Sequence, residues 1–340
     1  MRSDDLPLSR STVDRDGHRR VDENLLATLL QRHTTRILHL IGGDVLTAGD
    51  SLVLTAPAGP PDGTTAASTE HVPAAYRPVP TTPVTPEDLV IYLGRDEDYA
   101  YIAQIHPEST GVADWADEVS RQIDDPQGTP ANRRSHLRDV GWHLSPRDAG
   151  LATQAVAIAN WHSTHRHCPR CGAATEVIEA GWVRRCPVDG SHHFPRTDPA
   201  VIMAITDDDD RLLLARAATW PQRRYSVPAG FVEPGESLEN AVRREVEEET
   251  AVQVGEVTYQ ASQPWPFPAS LMVGCTGVAR TTEVEPDGVE VTAAMFLTRE
   301  ELTRAVTSGD MVLPRATSIA HHLIAKWYGG PLPEPPEFDR

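Results

Sequence analysis

At 340 residues the chain is longer than a single hydrophobic core usually organises, so two domains with a small insert are the expected arrangement. Its 49 acidic residues against 31 Lys and Arg leave a net charge of -18, a field that repels nucleic acid and anionic membrane and obliges any phosphate-bearing ligand to be met by metal ions or clustered arginines. The opening "MRSDDLPLSRS" has no apolar run of signal-peptide length and no stretch of about 18 apolar residues follows it, so a soluble, cytoplasmic protein with no membrane partner is expected.

From Glu23 to His39, "ENLLATLLQRHTTRILH" has apolar residues recurring as in an amphipathic helix that runs towards a strand. "SLVLTAPA" reads as a strand, the Ala-, Pro-, Thr- and Gly-rich stretch Ala56 to Thr85 as a loop, and "DLVIYLG" and "YAYIAQI" as strands joined by the turn "RDED". Residues 1–143 thus form an α+β domain without a constellation that carries chemistry. A connecting helix over 144–165 follows, with Ser145 as N-cap, Pro146 in the first turn and Asp148 at the positive end.

The segment 166–197 contains three of the four cysteines, Cys168, Cys171 and Cys186, within nineteen residues. A C-x-x-C knuckle followed by a third cysteine fourteen residues later has the spacing of a zinc ribbon rather than a disulfide framework. Asp189 stands where a fourth thiolate would, with His192 and His193 just beyond, so Cys3Asp and Cys3His zinc sites and a metal-free ribbon all remain open. Cys275, in an apolar strand pattern, is a core residue, and His321 and His322 are surface or packing residues of a late helix.

Residues 198–330 change texture to short strands, "AVIMAIT", "RLLLARA", "YSVPAGFV", "EVTYQAS", "SLMVGCTGVAR" and "VTAAMFL", around one long helix from Ser237 to about Thr250, a mixed sheet in an α/β sandwich; 331–340 is a tail. That helix carries "REVEEET". With Glu245 at zero, the apolar arc (Ala241, Leu238, Val242, Val246) spans roughly -40° to 100°, and Glu249 falls at about 40° inside it, Glu248 at about -60° and Glu247 at about 200°. A solvated charge face would put every carboxylate opposite the arc, and only Glu247 obeys. Gathering Glu245, Glu248 and Glu249 costs repulsion and desolvation that a cation must offset, and hard oxygen donors suit Mg²⁺ or Mn²⁺ bound with a substrate's phosphates. Arg244 is placed to orient a carboxylate, and Gly230, Pro234 and Gly235 make a loop that approaches a ligand closely, with Glu236 near the helix start.

Gly230, Glu236 after five residues, and "REVEEETAV" after seven more resemble the Nudix box, G-x5-E-x7-R-E-U-x-E-E-x-G-U, except that Ala251 replaces the last glycine. That glycine sits just past the helix, where a left-handed conformation is common and alanine costs on the order of 1 kcal/mol. Downstream, "SQPWPFPAS" (Ser262 to Ser270) is similar to the motif that follows the box in the NAD(H) diphosphatases, or NudC-type NADH pyrophosphatases. The resemblance covers about residues 155 to 325 and implies an α/β/α Nudix fold behind a zinc ribbon. It also implies a homodimer, and hydrolysis of the pyrophosphate of NAD(H) to NMN(H) and AMP; bacterial members also remove NAD caps from RNA.

Carried over residue by residue, the resemblance makes Glu245, Glu248, Glu249 and Arg244 catalytic, with Glu290 joining the three glutamates as a further metal ligand. Phe194 and Phe231 match the aromatic pair that sandwiches nicotinamide, and Gly230, Glu236, Gln263, Trp265, Phe267, Ser270 and Ala320 fall in the substrate pocket. Two other functions compete: a Nudix enzyme acting mainly on NAD-capped RNA or another nucleoside diphosphate such as ADP-ribose, with "HRHCPR" and "GWVRRC" as a basic patch, and a non-catalytic NAD sensor, which the complete carboxylate set argues against.

Overall fold

The computed structural model describes residues 1–57, 89–106 and 133–335, so most of the Ala56 to Thr85 loop lies outside the described residues. The chain divides into two compact units: Arg10–Arg196 with Pro266–Ala269, and Met1–Ser9 with Thr197–Trp265 and Ser270–Arg340. Among the described residues no helix is long and apolar enough to cross a membrane.

In the Arg10–Arg196 unit the helix expected from Glu23 is short. α1 covers only Leu25–Leu29, and strand β1 (Thr35–Ile41) has begun six residues later. The periodicity of "TTRILHLI" fits a helix, but its β-branched residues pair in parallel along β6 (Ala100–His106), from Thr35↔Ala100 to Ile41↔His106, and that tertiary pairing wins. Thr35 Oγ1 then donates to the Leu29 carbonyl at 2.6 Å, closing the helix end. β2 (Asp44–Ala48), β3 (Ser51–Leu52), β4 (Leu54–Thr55), β5 (Leu89–Arg95) and β7 (Arg133–Ser135) complete the sheet in the order β3-β2-β1-β6-β5, with β4 on β1 and β7 on β2. After a single turn, α2 (Leu137–Val140), α3 runs from Pro146 to Thr164 with Ser145 Oγ accepting from the Asp148 N–H at 3.2 Å. Asp148 does more than suit the helix end: its buried carboxylate accepts the Leu52 N–H at 3.0 Å and ties α3 to the sheet. The three short strands β8 (Glu176–Ile178), β9 (Val183–Arg185) and β10 (His192–His193) form the ribbon. His162 on α3 anchors it, lying within hydrogen-bond distance of the Gly181 carbonyl (2.8 Å) and of the buried Arg184 guanidinium (2.9 Å). An arginine can only donate, so Nδ1 accepts, Nε2 carries the proton, and burial holds the imidazole neutral with a pKa near 4.

The other unit is a mixed sheet of β11 (Asp198–Thr206), β12 (Leu212–Ala217), β13 (Ala229–Phe231), β14 (Val254–Trp265), β15 (Ser270–Ala279) and β16 (Val291–Leu297), ordered β14-β15-β11-β12-β16 with β13 on β11. Only β11 and β15 run parallel. Alternation along β11 builds two cores. Val201, Met203 and Ile205 pack with Ala241, Val242 and Val246 of α4 (Leu238–Thr250), while Ile202 and Ala204 pack with α5 (Arg299–Thr307) and α6 (Ile319–Tyr328). Helices thus cover both faces, the expected α/β/α sandwich. One boundary moves. The segment Met1–Ser9, expected in the amino-terminal domain, belongs here, because Leu6 is fully buried in the core of α5 and α6.

Candidate active site

α4 forms where the apolar arc predicted it. Ser237 Oγ caps it by accepting the Asn240 N–H at 3.3 Å, and it ends at Ala251, whose φ of 59° is left-handed and whose N–H closes onto the Glu247 carbonyl. Alanine therefore bears the strain a glycine would avoid. Glu245 and Glu249 are buried, Glu247 is exposed, and Glu248, grouped with the functional side by the helical wheel, is also 64% exposed at its side chain while still lining the cavity.

That cavity, of about 680 Å³, is walled by Glu233, Glu245, Glu248, Glu249, Asp287 and Glu290, with Ala200, Ala229, Gly230, Phe231, Ser270 and Met272; Arg244 is the one cationic side chain among its described lining residues. Gly230 is required sterically: a Cβ there would lie 1.9 Å from the Glu245 carboxyl carbon. The carboxylate is packed flat against bare backbone. Burial, then neighbouring Glu245, Glu290, Asp287 and Glu248, raises the Glu249 pKa to about 8, and burial likewise raises Glu245. Glu249 Oε2 is buried without a hydrogen-bond partner among the described residues. A buried, partnerless carboxylate oxygen beside four other carboxylates is what a hard divalent cation would satisfy, so these residues fit Mg²⁺ or Mn²⁺.

Arg244, which the resemblance places with the catalytic residues, orients carboxylates as its position in the sequence implied. It grips Glu236 in bidentate fashion (2.9 and 2.8 Å) and donates to Glu245 (2.9 Å), Glu248 (3.1 Å) and the Phe231 carbonyl (2.9 Å). Those bonds pull its basicity up and lock the β13 loop to α4. Glu236, expected at the substrate, is engaged by this clamp.

The sequence reading missed Asp287. Its carboxylate accepts the N–H groups of Val289 (3.1 Å), Glu290 (3.1 Å) and Val291 (2.8 Å), which holds its own pKa low and folds the loop so that Glu290 lines the cavity. The loop in turn satisfies α4's last carbonyls: Glu285 N–H donates to Thr250 O at 2.9 Å and Asp287 N–H to Glu249 O at 3.3 Å. The signal was an Asp-Gly turn three residues before Glu290.

The remaining expected pocket residues separate. Ser270 lines the cavity. Gln263 does not: it is fully buried, donating to the Thr317 carbonyl (2.9 Å) and accepting the Ile319 N–H (2.7 Å), so it fixes the start of α6. Ala320 is buried in the core beside it. Trp265 ends β14 opposite Ser270, and Phe267 lies in the other unit under the Arg138 guanidinium at 4.5 Å, its face already covered. Phe231 and Phe194 belong to different units and are 59% and 63% exposed.

In the ribbon, Cys168, Cys171, Cys186 and Asp189 bring four ligand atoms within 4.8 Å of one another, so Asp189 and neither histidine completes the set. Ser191 holds Asp189 Oδ1 through its N–H (2.9 Å) and hydroxyl (2.5 Å), keeping the acid ionised well below its usual range, while Oδ2 lies 3.5 Å from Cys168 Sγ. Three thiolates and an oriented carboxylate fit a structural zinc ion.

Family comparisons follow the same order along the chain. The NADH pyrophosphatase-like rudimentary NUDIX domain matches residues 34–161, the NADH pyrophosphatase zinc ribbon domain 163–194 and the NUDIX domain 196–316. The chain is 43% identical over 196 residues to the NAD-capped RNA hydrolase NUDT12 of Homo sapiens, a match covering 54% of this chain and 42% of that protein, so it spans less than half of that relative. It is 37% identical over 252 residues to the NAD-capped RNA hydrolase NudC of Mycobacterium bovis and of Mycobacterium tuberculosis, covering 71% of this chain and 76% of theirs. With all three family segments in sequence order and relatives matched over three quarters of their length, the chain belongs to the NudC-type Nudix hydrolases.

Proposed function

We propose that the protein hydrolyses the pyrophosphate linkage of NAD(H), giving NMN(H) and AMP, and releases the same linkage when it caps an RNA 5′ end. The observation that carries this reading is the converging set Glu245, Glu248, Glu249 and Glu290, with Glu249 Oε2 buried and unpartnered, in a cavity large enough for a dinucleotide's diphosphate. The relatives' activity on NAD-capped RNA supports the substrate class.

Glu245, Glu248, Glu249 and Glu290 would hold Mg²⁺ or Mn²⁺, which supplies charge neutralisation at the diphosphate and a more acidic water. The protein's own contribution is positioning. Gly230 admits the Glu245 carboxylate against the backbone, Arg244 fixes Glu245 and Glu248 to the β13 loop, and Asp287 sets Glu290. In the reaction a water oxygen adds to one phosphorus while the bridging P–O bond breaks. With the bound cations keeping the set ionised, a carboxylate of α4 would take the attacking water's proton. Exposed Phe231 offers a face to a base or nicotinamide ring. We assign a homodimer on the family resemblance.

The deciding experiment incubates the protein with NAD, NADH, ADP-ribose and NAD-capped RNA in Mg²⁺ or Mn²⁺ and separates the products. NMN(H) and AMP from the dinucleotides, and NMN from the capped RNA, are expected. Binding without turnover would support a sensor, and turnover of ADP-ribose alone would move the substrate class.

A further inference from the structure

Residues 211–228, "RLLLARAATWPQRRYSVP", hold four arginines and no acidic residue, in a chain whose acids outnumber its bases 49 to 31. Arg211 is paired with Asp207, and Arg223 donates to the Gly309 carbonyl. Arg216 and Arg224 make no ion pair among the described residues. Arg216 donates to Thr292 Oγ1 (3.2 Å) and the Gln222 carbonyl (2.9 Å), with its guanidinium 5.8 Å from the Tyr225 ring; the Arg224 guanidinium sits 4.9 Å over the Trp220 ring. Hydroxyl, carbonyl and aromatic partners fix both head groups and cancel neither charge.

This loop is tethered to the catalytic rim. Ala217 pairs with Val291, and the Ala218 N–H donates to the Glu290 carbonyl at 2.8 Å, so the basic segment departs from the residue whose side chain lines the carboxylate cavity. Its arginines are not among the cavity's walls. A ligand reaching them must extend beyond the cavity.

We infer that the Arg216–Arg224 segment is a backbone track for the RNA that follows an NAD cap, with Arg216 and Arg224 meeting phosphates. The inference rests on the function proposed above. A protein of net charge -18 repels a polyanion at long range, so an RNA held long enough to present its 5′ end needs local uncompensated cations beside the site. A free dinucleotide is short and its diphosphate belongs at the carboxylate cavity, so it gains nothing from them.

The test compares NADH with a short 5′-NAD-capped RNA on the full-length protein, using Arg216→Gln/Arg224→Gln and the charge-keeping Arg216→Lys/Arg224→Lys. For capped RNA, kcat/KM of the glutamine pair should fall about tenfold at physiological salt, and the slope of log kcat/KM against log salt should flatten by about one unit, as expected for one or two lost phosphate contacts on a single strand. NADH turnover should stay within about twofold, and the lysine pair should keep most of the slope. Equal losses on both substrates, or an unchanged salt slope, would overturn the track. A wild-type protein that cleaves NADH but not capped RNA would overturn it while leaving NAD(H) hydrolysis standing. One that cleaves neither would sink both.

Discussion

The ribbon and the carboxylate cavity each gather metal-donor side chains, but from different distances along the chain. Cys168, Cys171, Cys186 and Asp189 come from two tight turns, with the Gly172 and Gly190 N–H groups closing back onto the Cys168 and Cys186 carbonyls at 2.9 and 3.0 Å. Glu245, Glu248 and Glu249 come from a helix and Glu290 from a loop beyond the next two strands. The local, soft set has four donors and suits one ion with no place left for a substrate; the distant, hard set opens on a cavity and leaves room for one. Structure-building metal sites can be local in sequence, whereas a site that must admit a ligand is spread over elements that the fold brings together.

The sharpest way to break this contrast is at the cavity. Glu249→Gln should lower turnover by two or more decades with melting behaviour intact; near-normal NADH hydrolysis would remove the helix from the chemistry. Asp287→Ala should cost about 10- to 100-fold by releasing Glu290, while Asp287→Asn, which keeps an acceptor oxygen for the loop N–H groups, should recover most of that loss. If Asn is as damaging as Ala, Asp287 acts through its charge and not through the loop.

The ribbon should respond differently. Zinc analysis of protein purified without added metal should give about one ion per chain, and stripping it with a chelator should lower the melting temperature; Asp189→Ala should be isolated with less zinc and Asp189→Cys should resist the chelator longer. Metal-free wild type that melts unchanged would make the ribbon self-sufficient.

Smaller effects follow from burial and backbone. In divalent-metal-free protein Glu249 has a folded pKa of about 8, above its unfolded value of about 4.3, so the folded state binds the extra proton. Its favourable contribution is complete below the unfolded value and is lost as pH rises through 8. The melting temperature of metal-free wild type should therefore drop more between pH 6 and 9 than that of Glu249→Gln, as followed by scanning fluorimetry. Smallest of all, Ala251→Gly should relieve the left-handed strain and stabilise by about 1 kcal/mol, or about 2 °C in a protein of this size, without touching turnover.

How much could be read in advance tracks the range of the forces involved. α4 and the burial of Glu245 and Glu249 followed from 3.6-residue periodicity, and the sheet strands from β-branched runs bounded by turns. Glu248's exposure did not, because a helical wheel says nothing about where a cavity opens. Gln263 sits in a motif that points to substrate, yet its amide is turned inward by Thr317 and Ile319, partners more than fifty residues away. The helix expected to run from Glu23 failed for the same reason: β6, about sixty residues on, claims Thr35 to Ile41 as a strand. At Asp287 only the Asp-Gly turn marked the role, because its targets are backbone N–H groups, which every sequence offers alike.

Arg244 also limits what substitution can do at this site. A guanidinium has five N–H donors, and here each has an acceptor: Glu236 takes two, and Glu245, Glu248 and the Phe231 carbonyl take one apiece. None is left over for a phosphate. A lysine, with three donors radiating from a single nitrogen, would have to release at least two of these bonds and could not span both the loop and the helix. The charge would survive such an exchange, but the spacing between β13 and α4 would no longer be set.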